Sequence, residues 1–139
     1  GSNLVESLSG AERIEDVAAV PGRILHVGGQ ATVPGDPEFG VSQHVANVLL
    51  AARAAGSGAR AALNVAYDDD DTVAALEAEG LTVAEFDAEA SLAAGIGTAL
   101  DGTPDADVLY QTGAMGIEPI VYILGPDAVT VAERLRSIT

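Results

Sequence analysis

Apolar residues along this chain follow two spacings. Alternating or continuous apolar runs bounded by Gly, Pro or Asp mark strands, and apolar residues three or four apart mark helices. Residues 3–8 read as a short strand. In 12–20, Ile14, Val17 and Ala18 stand at helical spacing and Pro21-Gly22 ends the run, which predicts a helix. Residues 23–27 read as a strand, Gly28-Gly29 as a turn and 31–33 as the hairpin partner. The Pro- and Gly-rich stretch 34–40 reads as a loop. Ser42 is placed to N-cap a helix over 43–55, which Gly56-Ser57-Gly58 closes. Residues 61–67 read as a buried strand. The acids at 68–71 suit the positive end of a helix running to Glu79, and Gly80 stands where a helix-ending glycine belongs. A strand over 81–86, a short helix over 92–100 and a strand over 107–110 follow. A glycine-containing turn over 111–118, a strand over 119–124 and a helix over 128–136 complete the chain.

Strands alternating with helices predict an α/β domain with helices covering a central sheet, and the hairpin at Gly28-Gly29 predicts that the sheet is mixed. With 139 residues the chain has the length of one domain, 1–139, with no internal repeat. Its opening Gly1-Ser2-Asn3 without a Met reads either as a tag scar or as the start of a domain excised from a longer protein.

Composition changes the picture in two ways. Hydrophobic residues make up 48% and aromatics only 4%, so the core is built from Ala, Val, Leu and Ile. The 21 acidic residues outnumber the 6 basic ones, for a net charge of −15, and every basic residue is an arginine. Spread along the chain, these acids fit a high-salt cytoplasm better than an acidic tail for a basic partner. Such a charge excludes direct nucleic-acid contact, which needs a basic footprint. There is no cysteine, hence no disulfide framework. No signal peptide or membrane-spanning apolar run is present, and the chain reads as cytoplasmic.

Candidate chemistry concentrates in 34–47. Gly40, Ser42 and the following helix start offer backbone N–H groups and a hydroxyl to a phosphate, with His44 facing the same space as donor or general acid. The same residues also read as an ordinary N-capped helix with a satisfied histidine. Arg23, opening a strand, offers a planar fork for phosphate or a surface ion pair. The turn from Gln111 to Gly116 can approach a ligand by its backbone or serve as a plain connection. His26 alternates with apolar neighbours and reads as structural. Two histidines without cysteine argue against zinc, and the run 68–71 lacks the calcium-loop pattern. Neither a metal nor a cofactor is called for.

Taken in order, Val20–Ile24 (VPGRI), Pro37–Gly40 (PEFG), Ser42–Ala46 (SQHVA), Leu63–Asp68 (LNVAYD) and the turn through Gly113, Gly116, Glu118 and Pro119 resemble the ThiN family of thiamine-phosphate synthase domains. The opening Gly1–Val5 also resembles that family's first strand. The resemblance implies a three-layer α/β/α domain with a mixed central sheet, related to the class II aldolase and epimerase fold. It implies binding of thiamine phosphate or a related phosphate ester. Its catalytic members join a hydroxymethylpyrimidine diphosphate to a thiazole phosphate and release pyrophosphate. An arginine and a histidine serve that reaction and match Arg23 and His44. The ligand set it implies is Arg23, Glu38, Phe39, Gly40, Ser42, Gln43, His44, Asn64, Gly113, Gly116 and Glu118.

The chain departs from the catalytic pattern in one direction. Where that pattern reads SSHVAR, NIRYD, DRG and GKE, this chain has neutral Asn47, Ala66, Thr112 and Ile117 at the cationic positions. Charge-assisted contacts are the strong ones to phosphate, so these losses weaken diphosphate binding more than monophosphate binding. ThiN domains also occur behind helix-turn-helix domains in regulators of thiamine genes. The main expectation is therefore a sensor of thiamine phosphate, the ligand-binding half of a regulator of thiamine metabolism with a fused DNA-binding domain. The alternative is an active thiamine-phosphate synthase. The sparsely charged helix over 45–55 offers a surface for a homodimer, and no membrane partner is expected.

Overall fold

The computed structural model describes residues 3–19, 25–27, 30–32, 38–39, 43–67 and 70–138. Its elements are β1 (Leu4–Ser7), a 3-10 turn (Ile14–Asp16), β2 (Val17–Ala19), β3 (Leu25–Val27), β4 (Gln30–Thr32), β5 (Glu38–Phe39), α1 (Gln43–Ala54), β6 (Ala61–Ala66), α2 (Asp70–Ala78), β7 (Val83–Glu85), α3 (Leu92–Gly102), β8 (Val108–Gln111), β9 (Ile120–Gly125) and α4 (Ala128–Arg136).

Seven strands form one sheet in the order β5-β2-β1-β6-β9-β8-β7. Among the described residues only β7 and β8 run parallel, joined by α3, and the other pairings are antiparallel, so the sheet is mixed as expected. β3 and β4 pair as a separate antiparallel ribbon, with His26 opposite Ala31.

The strands at the centre are apolar on both faces because both faces are covered. On β9, Tyr122 and Leu124 point into a core shared with Val45, Val48, Leu49 and Ala52 of α1 and Ile96 and Leu100 of α3. Val121 and Ile123, one step out of phase, point to the opposite face, where Val73 and Leu76 of α2 and Val131 of α4 cover them. Period-two alternation on one strand therefore feeds two cores, and helices lie on both sides of the sheet. The apolar residues of α1 pack into the first of these cores. No helix among the described residues is long and apolar enough to cross a membrane.

Three sequence expectations are corrected. The predicted helix over 12–20 is a single 3-10 turn followed by β2. The Asp16 carboxylate accepts from the Glu12 and Arg13 amides, each at 3.3 Å, closing the turn on itself. Val17 is then free to pair opposite Ser7 of β1, and it becomes fully buried. Sheet pairing wins over the helical spacing of Ile14, Val17 and Ala18, as tertiary context commonly does for a β-branched residue. Secondly, part of the loop expected at 34–40 is the edge strand β5, which pairs with β2. Thirdly, the strand expected at 81–86 is confined to Val83–Glu85, held parallel to β8.

Candidate active site

His44 is the second residue of α1 and is exposed, while the next turn of the helix plunges into the core through Val45, Ala46, Val48 and Leu49. That burial fixes the azimuth of the helix and so the direction from which His44 looks out. Tyr122, at the middle of the sheet, is 1% exposed and has its ring 6.2 Å from that of Phe86. Its hydroxyl reaches Nε2 of His44 at 2.5 Å, with the two rings 5.8 Å apart and inclined by 49°. Burial pushes the Tyr122 phenol up to about 12, so it keeps its proton at neutral pH.

The His44–Tyr122 pair borders a cavity of about 480 Å³. Phe86, Ala88, Ala90, Leu92, Ile117 and Ile120 supply its apolar wall. Gln111, Gly116 and Glu118 supply the rest, from the connection between β8 and β9. A mostly apolar wall with a few convergent polar groups is the usual make-up of a small-molecule site.

That connection is tightly determined. The buried Gln111 side chain accepts from the Gly113 amide at 2.5 Å and donates to the Glu118 carbonyl at 2.6 Å, spanning the turn. Ala114 and Ile117 exchange backbone hydrogen bonds of 3.1 and 2.9 Å. Gly113 adopts φ +90°, and a Cβ there would lie 3.0 Å from the Ile117 carbonyl and 3.2 Å from the Pro119 ring. Only glycine suits that position. Gly116, at φ +77°, turns the chain back beside the fully exposed Met115. The glycines thus shape the wall by backbone conformation. Beside this cavity Glu85, Asp87, Glu89, Thr112 and Gly113 border a smaller one of about 350 Å³, making that flank acidic.

Of the residues singled out in the sequence, His44, Gly116 and Glu118 meet at the one cavity and Gly113 borders its neighbour. Asn64 faces Tyr122 across the β6–β9 pairing, and its side-chain oxygen accepts from the Asn3 amide at 2.5 Å. It ties β1 to the sheet and does not line the cavity. Gln43 starts α1, exposed and away from the described wall. Glu38 and Phe39 form β5 at the sheet edge. Arg23, Gly40 and Ser42 lie outside the described residues. Among the four positions that lack a cation, Ile117 lines the cavity, Thr112 borders the acidic flank, and Asn47 is exposed on α1 three residues after His44.

Tyr122 and Phe86 escape a reading of the sequence, and Gln111 enters it only as the first residue of the glycine turn. Tyr122 left one trace, a hydroxyl-bearing residue inside an otherwise aliphatic strand, where a buried phenol needs a partner.

Comparison with known proteins agrees along the whole chain. The family model described as thiamine-phosphate synthase ThiN matches residues 1–137. Thiamine-phosphate synthase ThiN of Methanothermobacter thermautotrophicus is 37% identical over 144 residues, covering 95% of this chain and 75% of that protein. The bifunctional thiamine biosynthesis protein ThiDN of Methanocaldococcus jannaschii is 34% identical, covering 99% of this chain but 34% of that protein. A crystal structure of the C-terminal domain of a phosphomethylpyrimidine kinase superimposes with a TM-score of 0.86 at 27% identity, covering all of this chain and 85% of that one.

Proposed function

Because the chain belongs to the ThiN family, we propose that it is a thiamine-phosphate synthase domain that joins a hydroxymethylpyrimidine diphosphate to a thiazole phosphate. In that reaction the bond between the pyrimidine methylene and the diphosphate oxygen breaks, pyrophosphate leaves with the electron pair, and the thiazole nitrogen bonds to the methylene carbon. The chemical need is a donor for the departing oxygen and a dry wall for the rings. The observation that carries the reading is the His44–Tyr122 pair at the mouth of an apolar cavity closed by the Gln111-braced turn. His44 serves as donor or general acid toward the leaving diphosphate, assisted by Arg23, and the apolar wall accepts a ring. We place the fold with the class II aldolases and epimerases, and the activity in a high-salt cytoplasm. The relative in which this domain is about a third of a bifunctional protein supports a fused partner domain.

The sensor reading rests on the neutral residues at positions 47, 66, 112 and 117. The names of the relatives favour the synthase. Mixing both substrates with the chain in molar salt and measuring thiamine phosphate separates the two. Product is expected, and His44→Ala is expected to lower its rate by a factor of about 10²–10⁴, the contribution of a positioned acid. Binding of thiamine phosphate without any turnover would restore the sensor.

A further inference from the structure

We infer that Tyr122 is a positioning residue: by donating its phenolic proton to Nε2 of His44, it holds the neutral imidazole in the tautomer that carries its hydrogen on Nδ1. A neutral imidazole has one donor and one acceptor nitrogen, and the neighbour of one nitrogen decides which is which.

Here the neighbour is a phenol that is 1% exposed and has His44 as its hydrogen-bond partner, with no second partner among the described residues. Were Nε2 to keep its hydrogen and donate to the phenol oxygen, the phenolic proton would have no acceptor among the described residues. Buried polar hydrogens are rarely left so. With Tyr122 as donor, both groups are satisfied by one contact. Ionisation of the phenol offers no escape at neutral pH, because burial raises it to about 12.

The consequence falls on the other nitrogen. His44 is exposed, and Nδ1 has no partner among the described residues. It is the ring nitrogen left open to a ligand. The fold therefore presents an N–H donor there while the imidazole is neutral. When the imidazole is charged, Nδ1 donates still, while the Nε2 hydrogen takes over the contact with the phenol oxygen and the phenolic hydrogen gives up its acceptor. A group that donates in both charge states suits an anionic oxygen whose own charge grows. This use rests on the proposed role of His44 toward the leaving diphosphate; the tautomer itself does not.

Nitrogen-15 NMR of the whole ligand-free chain in molar salt reads the tautomer directly, at about pH 9, above the ordinary histidine range. There are two histidines to resolve, and His44→Gln assigns them. The expected pattern for His44 is a protonated Nδ1 and an acceptor Nε2, changing in Tyr122→Phe to the Nε2–H form that free imidazole side chains prefer. A wild-type His44 protonated on Nε2, or averaging between forms, overturns the inference, as does a pattern unaltered in Tyr122→Phe. Should that variant fail to fold, the wild-type pattern decides alone. In the synthase assay Tyr122→Phe is expected to lower kcat about tenfold, part of what a positioned acid supplies, with KM much less affected. A chain without turnover overturns the synthase reading, while the tautomer still decides this one.

Discussion

At the scale of the residue, the site depends on an exposed histidine held by a tyrosine of the core. Tyr122 occupies a position whose neighbours Ile123 and Leu124 are equally buried, and its buried hydroxyl is bonded to His44. That arrangement carries a signature in stability. The folded phenol titrates near 12, the unfolded one near its ordinary 10. A raised pKa favours the protonated folded form, so this contribution is fully present below about pH 10 and is lost as pH rises toward 12. Denaturant melts of wild type and Tyr122→Phe across that range check the sign: the wild type's stability relative to the variant should fall with rising pH. A constant difference would mean that Tyr122 is not desolvated as described.

At the scale of the element, the β8–β9 connection is a wall built by hydrogen bonds. Gln111 bonds both arms of the turn, and Gly113 supplies a conformation that no side chain tolerates there. Replacing Gln111 by Ala leaves the Gly113 amide and the Glu118 carbonyl without their partner. The expected cost is about 1 kcal/mol for each lost hydrogen bond, since Gly113 is half-buried and Glu118 exposed, so water can replace part of what is lost. Because Gly116, Ile117 and Glu118 line the cavity, ligand binding should weaken as well. Urea melts and calorimetric titration with thiamine phosphate measure the two effects; a variant as stable as wild type would show that the Gln111 brace is dispensable. The helices were the legible elements. α1 and α2 have their spacing and closing glycines written locally and α4 its spacing and the Asp127 cap, and all three appear close to the expected bounds. β2 and β5 were illegible, since each is a two- or three-residue strand whose identity comes from the strand beside it.

At the scale of the whole molecule, the charge of −15 bears on stability. Self-repulsion opposes the compact state, and screening relieves it: the Debye length shrinks from about 10 Å at 0.1 M salt to about 3 Å at 1 M. Thermal melts in potassium chloride should therefore show a midpoint that climbs steadily toward molar salt. A midpoint indifferent to salt would remove the reason to regard the acidic surface as an adaptation. If the proposed phosphate ester binds in the neighbouring cavity, the acidic flank formed by Glu85, Asp87 and Glu89 repels it least when those charges are screened.

By itself the sequence determined the layered class, the long helices, the glycine turn and His44 as a candidate, because each is encoded by neighbours within one or two turns of chain. It also carried the family, through short motifs in a fixed order along residues 1–137. Only the tertiary structure decided that Tyr122 partners His44 and that Phe86 stands in the same wall. It also decided that Asn64 serves β1 instead of the cavity. The physical reason is separation: His44 and Tyr122 are 78 residues apart and Asn3 and Asn64 are 61 apart. Such contacts exist only once the strand order β1-β6-β9 has brought distant segments to adjacent positions on one face.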